Sequence, residues 1–121
     1  MSIRIAVATR SGKVVDEHFG RAEAFHIIDL DETGDQYVEK RETTRLCQEY
    51  EHSDSALEKT TSLLSDCSAV LVSRVGVGAK RVLEITGISV FEIGLTVYDA
   101  LEKLRQYYYK ERGRTSYGKE N

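Results

Sequence analysis

Apolar residues fall along this chain in short, separated runs. Ile3-Arg4-Ile5-Ala6-Val7-Ala8 is apolar except for Arg4, and Ala69-Val70-Leu71-Val72 is wholly apolar. Runs of this kind predict central strands covered on both faces. Phe25 to Leu30 and Ile88 to Ile93 are also β-rich and predict two more strands. Tyr37 to Thr44 alternates and carries Glu39, Lys40, Arg41 and Glu42, which suits an exposed edge where charge opposes edge-to-edge pairing. Asp31 to Asp35 supplies the turn before it, and Val14-Val15 a short strand or bulge.

The helical signals lie between and after the strands. Ser55-Ala56-Leu57-Glu58 and Thr96-Val97-Tyr98-Asp99 both match capping boxes. The first predicts a helix with Ala56, Leu57, Leu63, Leu64 and Cys67 along one side. The second predicts one packing through Val97, Leu101, Leu104 and Tyr108. Gly76-Val77-Gly78 leads into a third helix that stops at Gly87. The order is β-β-β-α-β-α-β-α. It predicts an α/β fold with a mixed five-stranded sheet, an antiparallel hairpin at one edge, and helices on both faces. The three-layer ribonuclease H-like class has this order. The expected domain spans residues 1–110, and residues 111–121 read as a flexible tail.

Length and composition agree with one globular domain. The chain has 121 residues, 40% hydrophobic and 31% charged. No apolar run approaches the roughly 18 residues of a membrane span, and the start does not resemble a signal peptide. A cytoplasmic protein is expected, with no membrane partner. A net charge of −3 and a pI of about 5.6 argue against a nucleic-acid partner. Only Arg105 to Lys119 is locally basic. Two cysteines, Cys47 and Cys67, are too few for a disulfide framework. Oligomeric state is left open, with the charged edge strand and the last helix as candidate surfaces.

Candidate chemistry gathers where strands end, because open α/β sheets bind ligands at the carboxyl ends of their strands. The first strand runs into Thr9-Arg10-Ser11-Gly12 and the fourth into Ser73-Arg74-Val75-Gly76. If those strands are neighbours, Arg10, Arg74 and the helix start at Gly76 share one rim suited to an anion. Both arginines can equally be solvated surface residues. His18 follows Asp16-Glu17 and precedes Phe19-Gly20. It is either a loop histidine with one hydrogen bond or a metal ligand whose ring a neighbouring carboxylate orients. Phe19 reads as a packing anchor, and Gly20 as a place where backbone can approach a ligand. Cys47, in the polar loop 45–52 with His52 five residues on, is a soft thiolate ligand or an incidental thiol. Cys67 reads as a small hydrophobe before a buried strand, and His26 as structural.

Several residues together resemble a known family. Ile5-Ala6-Val7-Ala8, then Gly12 to Ala22 with its His18-Phe19-Gly20 element, resembles the start of the nitrogenase iron–molybdenum cofactor biosynthesis family, which includes NifX, NafY and the C-terminal domain of NifB. The resemblance continues through Phe25 to Asp29, Asp66 to Leu71, Gly76 to Ala79 and Gly87 to Val90. It implies a ribonuclease H-like domain that binds or carries an iron–sulfur or iron–molybdenum cofactor or precursor. It also implies no catalysis of its own, and partners among cofactor-assembly or nitrogenase-type proteins. On this basis His18 becomes a ligand or gate, Cys47 its candidate companion, and Arg10, Arg74, Phe19, Gly20 and Gly76 the surrounding site.

Rival readings remain. A nuclease needs converging carboxylates, and Ile3 to Val15 holds no acid. A nucleotide- or phosphate-binding regulatory module would use Gly76 to Ala79, although no G-x-x-x-x-G-K-[ST] loop is present. A protein-interaction domain without metal cargo would use the Tyr107-Tyr108-Tyr109 surface.

Overall fold

The computed structural model describes residues 2–43 and 54–110. Five strands form one sheet: β1 (Ile3–Ala8), β2 (Ala24–Leu30), β3 (Asp35–Glu42), β4 (Ala69–Val72) and β5 (Ser89–Glu92). Three helices follow the hairpin: α1 (Asp54–Leu63), α2 (Val77–Ile85) and α3 (Val97–Arg105), the last running into a wider π-type turn at Gln106–Lys110. The spatial order is β3-β2-β1-β4-β5. β1 pairs antiparallel with β2 and parallel with β4. β3 pairs antiparallel with β2, and β5 parallel with β4. The predicted mixed sheet with a hairpin edge is the sheet observed.

Alternation along the central strands divides the core in two. Ala6, Ala8, Phe25, Ile27, Val70 and Val72 face α1 and α2. Ile5, Val7, Ile28, Leu30, Ala69 and Leu71 face α3. This double coverage explains why β1 and β4 are apolar at consecutive positions. Apart from shifts of one residue at strand ends, three features differ from expectation. β3 begins two residues early and stops before Thr43, which is buried and donates through its hydroxyl to the Ala22 carbonyl. α1 ends at Leu63, and Leu64 and Cys67 enter the core from tight turns, with Leu64 N–H donating to Thr61 O (3.1 Å) and Cys67 N–H to Leu64 O (2.9 Å). Arg105, placed by sequence at the head of a basic tail, is buried and donates to the Asp31 carbonyl at 2.9 Å, tying α3 to the hairpin turn. The capping box at Ser55 and the expected tail at 111–121 fall outside the described side chains and residues respectively.

Helix ends follow the sequence signals where they are described. Thr96 Oγ1 accepts from Asp99 N–H at 3.1 Å at the start of α3. Gly87, at φ +95°, takes the left-handed position after α2 that costs a side chain strain.

Arg4, the break in the β1 apolar run, donates to both Asp29 oxygens at 2.8 and 3.0 Å and to Asp66 at 3.0 Å. Arg41 donates twice to Asp66, at 2.7 and 2.9 Å, and once to the Leu63 carbonyl at 2.9 Å. This clamp joins three strands to the end of α1. The two guanidiniums, Arg41 before Arg4, hold the Asp66 carboxyl well below the usual carboxylate range. A carboxylate with a depressed folded-state pKa stabilises the fold above its unfolded value, near pH 4, and loses that contribution as pH falls. Asp66 is part-exposed, so its share is about 1 kcal/mol. Asp66→Asn should lower stability at pH 7 by about that much in urea titrations. It should also give a shallower loss of stability than the wild type below about pH 4.

Candidate functional site

The segment between β1 and β2 does not loop freely. Glu17 N–H donates to Ala8 O at 3.3 Å, Ser73 N–H to Glu17 O at 3.0 Å, and Phe19 N–H to Arg74 O at 2.9 Å. Residues 17–19 therefore run as a backbone thread between the exits of β1 and β4. Further back, Val15 N–H donates to Leu95 O (2.9 Å) and Val97 N–H to Lys13 O (2.8 Å), and Val14 bridges Thr96. Two buried side chains pin the thread from opposite faces. Val15 enters the core beneath α3, and Phe19 enters the other, its ring 5.7 Å from Phe25. Burying a Phe of this size stabilises by about 2–3 kcal/mol.

His18 lies between these anchors and is exposed. It pairs with Arg74 in a parallel bridge. Paired positions on adjacent strands put their side chains on the same side, so His18 and Arg74, both exposed, leave the backbone toward the same side of the rim. Among the described residues neither side chain has a hydrogen-bonding partner. Gly76 caps α2 with no side-chain hydrogen bond, so the first N–H groups of α2 remain available beside Arg74. Gly76 and Gly78 face open space. Val75 N–H donates to Glu92 Oε2 at 2.9 Å, which fixes the turn that presents Arg74 and Gly76.

The other expected residues sort differently. Arg10 is engaged: its Nε donates to Glu17 Oε2 at 2.9 Å, and its backbone N–H to Asp16 Oδ1 at 3.0 Å. The Glu17 carboxylate raises the Arg10 pKa, chiefly through that hydrogen bond. Asp16 and Glu17 thus hold the Arg10 turn and do not orient the His18 ring, as their position in sequence had suggested. Gly12 takes φ +87° in the same turn, where its N–H donates to Thr9 Oγ1 at 2.9 Å. A methyl group at Gly20 would meet nothing within 4 Å, and Gly20 has no positive φ, so the fold itself does not require glycine there. Phe19 is a packing anchor, as expected.

Cys67 is remote from this rim. It precedes β4, whereas Arg74 follows it, so the strand's four residues separate them by about 13 Å or more. Burial pushes its thiol up to about 12. His26 packs its ring 5.7 Å from Tyr37, and burial, then Lys40, lowers its pKa. Beyond Arg10 lies a cleft of about 150 Å³ whose lining includes His26, Lys40, Glu17, Glu23 and Glu42. Its three carboxylates make it a poor anion site beside the His18 rim. Cys47 and His52 lie outside the described residues. Among the described residues, no three His, Cys, Asp or Glu side chains converge on a common metal position.

Sequence reasoning missed two features here. Glu17 is nearly buried at 8% exposure, and the thread pairs like a strand. Buried Val15, Glu17 and Phe19 alternate with exposed Asp16 and His18, a period that the charged Glu17 hides in the sequence.

Residues 1–107 match the family model described as dinitrogenase iron–molybdenum cofactor. The chain belongs to this family. Among curated relatives, a FeMo cofactor biosynthesis protein NifB of Frankia alni is 36% identical over 104 residues, 84% of this chain and 20% of the relative. Its Herbaspirillum seropedicae namesake is 35% identical over 88 residues, 73% of this chain and 17% of the relative. The chain thus spans about a fifth of the length of these dinitrogenase iron–molybdenum cofactor family relatives. A Methanocaldococcus jannaschii crystal structure with a provisional dinitrogenase designation shares the fold, with a TM-score of 0.55, 10% identity and 88% of both chains covered. No described helix is long and apolar enough to cross a membrane.

Cys67 should resist alkylation in the native protein at neutral pH, because a thiolate is the nucleophile and burial disfavours it. In a Cys47→Ser background, iodoacetamide should add to the native chain at least tenfold more slowly than to the urea-unfolded chain. Equal rates would place the thiol in solvent.

Proposed function

We propose that this chain holds an anionic iron–sulfur or iron–molybdenum cofactor, or its precursor, on the rim built by His18 and Arg74. On this reading it works as a carrier or chaperone in cofactor biosynthesis and not as a catalyst. The carrying observation is the bridge that sets His18 beside Arg74 at the strand ends. Neutral imidazole is a suitable iron ligand. The Arg74 guanidinium and the free N–H groups at the start of α2 would offset the charge on cluster sulfides. Family membership and the FeMo cofactor biosynthesis name of the relatives support this choice of cargo.

The incomplete ligand set suits a carrier, since a cargo held by one or two protein ligands can leave. Cys47 is the proposed second ligand. Arg10 is a reserve cation that would have to leave Glu17 to reach the cargo. Partners would be the cytoplasmic assembly or nitrogenase-type proteins that give up and accept the cluster.

The test is anaerobic loading of the full chain with a [4Fe–4S] cluster and, separately, with tetrathiomolybdate and iron, followed by desalting, metal analysis and visible spectroscopy. The wild type should keep stoichiometric metal with sulfide-to-metal charge-transfer bands. His18→Ala should weaken retention by about tenfold or more. Arg74→Ala should weaken it less, and most at low ionic strength. A wild type that keeps no metal contradicts the carrier reading, and undiminished retention by His18→Ala removes His18 from the site.

A further inference from the structure

The two helices that follow β4 and β5 begin differently. α3 closes its own first turn: Thr96 Oγ1 accepts from Asp99 N–H at 3.1 Å, and Asp99 is the acid there. α2 has neither a capping side-chain bond nor an acid in its first turn. Its start is open to an anion from outside the helix. A carboxylate reaches the turn before it from β5. Val90 packs on the core under α1 and α2, so Glu92, two residues on, leaves the strand toward the same face. Glu92 Oε2 accepts from Val75 N–H at 2.9 Å, across 17 residues of chain.

This carboxylate stands where a charge on the cargo is felt. Val75 lies between Arg74 and Gly76, and bond geometry puts Glu92 Oε2 within about 6 Å of the Arg74 Cα. A neutral acceptor would hold the Val75 N–H equally in place. A carboxylate adds a negative charge beside the guanidinium and the open helix start. Among the described residues Glu92 forms no ion pair, so that charge is not neutralised locally. Two charges at this separation interact appreciably at low salt, where the screening length is about 30 Å at 0.01 M.

We propose that Glu92 sets how tightly the rim holds its cargo. Its hydrogen bond positions the Arg74–Gly76 turn, and its charge keeps the affinity for an anion below what that turn would otherwise give. The inference rests on the reading that the His18–Arg74 rim takes an anionic cluster. Glu92 is a positioning residue and not a ligand, because its carboxylate is engaged with main chain. Its two contributions have opposite signs. Positioning favours binding, since a turn already held needs no ordering when cargo arrives. Charge opposes binding through repulsion of the cluster sulfides. A carrier benefits from that repulsion, because its cargo must leave as well as arrive. Salt separates the two, since screening removes the repulsion and leaves the hydrogen bond.

The test is anaerobic titration of the full chain with tetrathiomolybdate, a dianion, read by visible spectroscopy at about 0.01 M and about 0.5 M ionic strength. Glu92→Gln keeps an acceptor for the Val75 N–H and removes the charge. It should bind about fivefold more tightly than wild type at the lower ionic strength, and within about twofold of it at the higher. Glu92→Ala removes both, and at the higher ionic strength should bind about threefold more weakly than Glu92→Gln. The Val75 amide resonance of the unloaded chain should stay near its wild-type position in Glu92→Gln and move in Glu92→Ala. Glu84→Gln makes the same change of charge about 12 Å along α2 from Gly76 and should alter affinity less than about twofold. If wild type binds and Glu92→Gln binds no more tightly at the lower ionic strength, or Glu84→Gln gains as much, the proposal is overturned and the carrier reading stands. Glu92→Ala equal to Glu92→Gln at the higher ionic strength overturns the positioning role. If Glu92→Ala fails to fold, as read by circular dichroism, the Glu92→Gln and Glu84→Gln comparison decides. A probe bound by neither wild type nor any variant contradicts the carrier reading and this inference with it.

Discussion

The exits of β1 and β4 impose the constraint on which the site depends. The two strands run parallel as neighbours through Ile5–Ala69, Ala6–Val70 and Val7–Leu71 and then separate. The backbone groups left at their ends, Ala8 O, Ser73 N–H and Arg74 O, would be costly to bury without partners. Residues 17–19 supply those partners. With Val15 held in one core and Phe19 in the other, His18 has one outlet, outward and beside Arg74. The histidine's place is thus set by backbone pairing and apolar burial, not by its own contacts.

This construction separates rigid support from available chemistry. The thread, the Val75–Glu92 contact and the turn at Gly12 fix main chain. The groups that would meet a cargo, His18, Arg74 and the start of α2, are left exposed. Preorganised but unengaged groups reduce the ordering cost of binding. Arg10 sits on the other side of this division. Its pairing with a nearly buried carboxylate makes it part of the support, and moving it would leave Glu17 without its cation.

Much of the architecture was legible in the sequence. The apolar runs at 3–8 and 69–72, the capping Thr96, the stop at Gly87 and the charged β3 each act locally, and each has the expected place. The site was less legible because its geometry rests on distant pairings. Nothing near Arg4 announces Asp66, which is 62 residues away, and nothing near His18 announces Arg74. Local order misled where it suggested that Asp16 or Glu17 serves His18, since both turn back to the Arg10 segment. Helical periodicity also overran the end of α1, because Leu64 and Cys67 reach the same core from turns.

The central claim is that cargo binds on the His18–Arg74 rim. Amide NMR of the full chain during anaerobic titration with a diamagnetic molybdenum–sulfur probe, tetrathiomolybdate, tests it most directly. The account predicts the largest shifts at His18 to Gly20 and Arg74 to Ala79, with little change in β3. Shifts centred on the His26–Lys40 cleft, or no localised shifts at saturating probe, would contradict it.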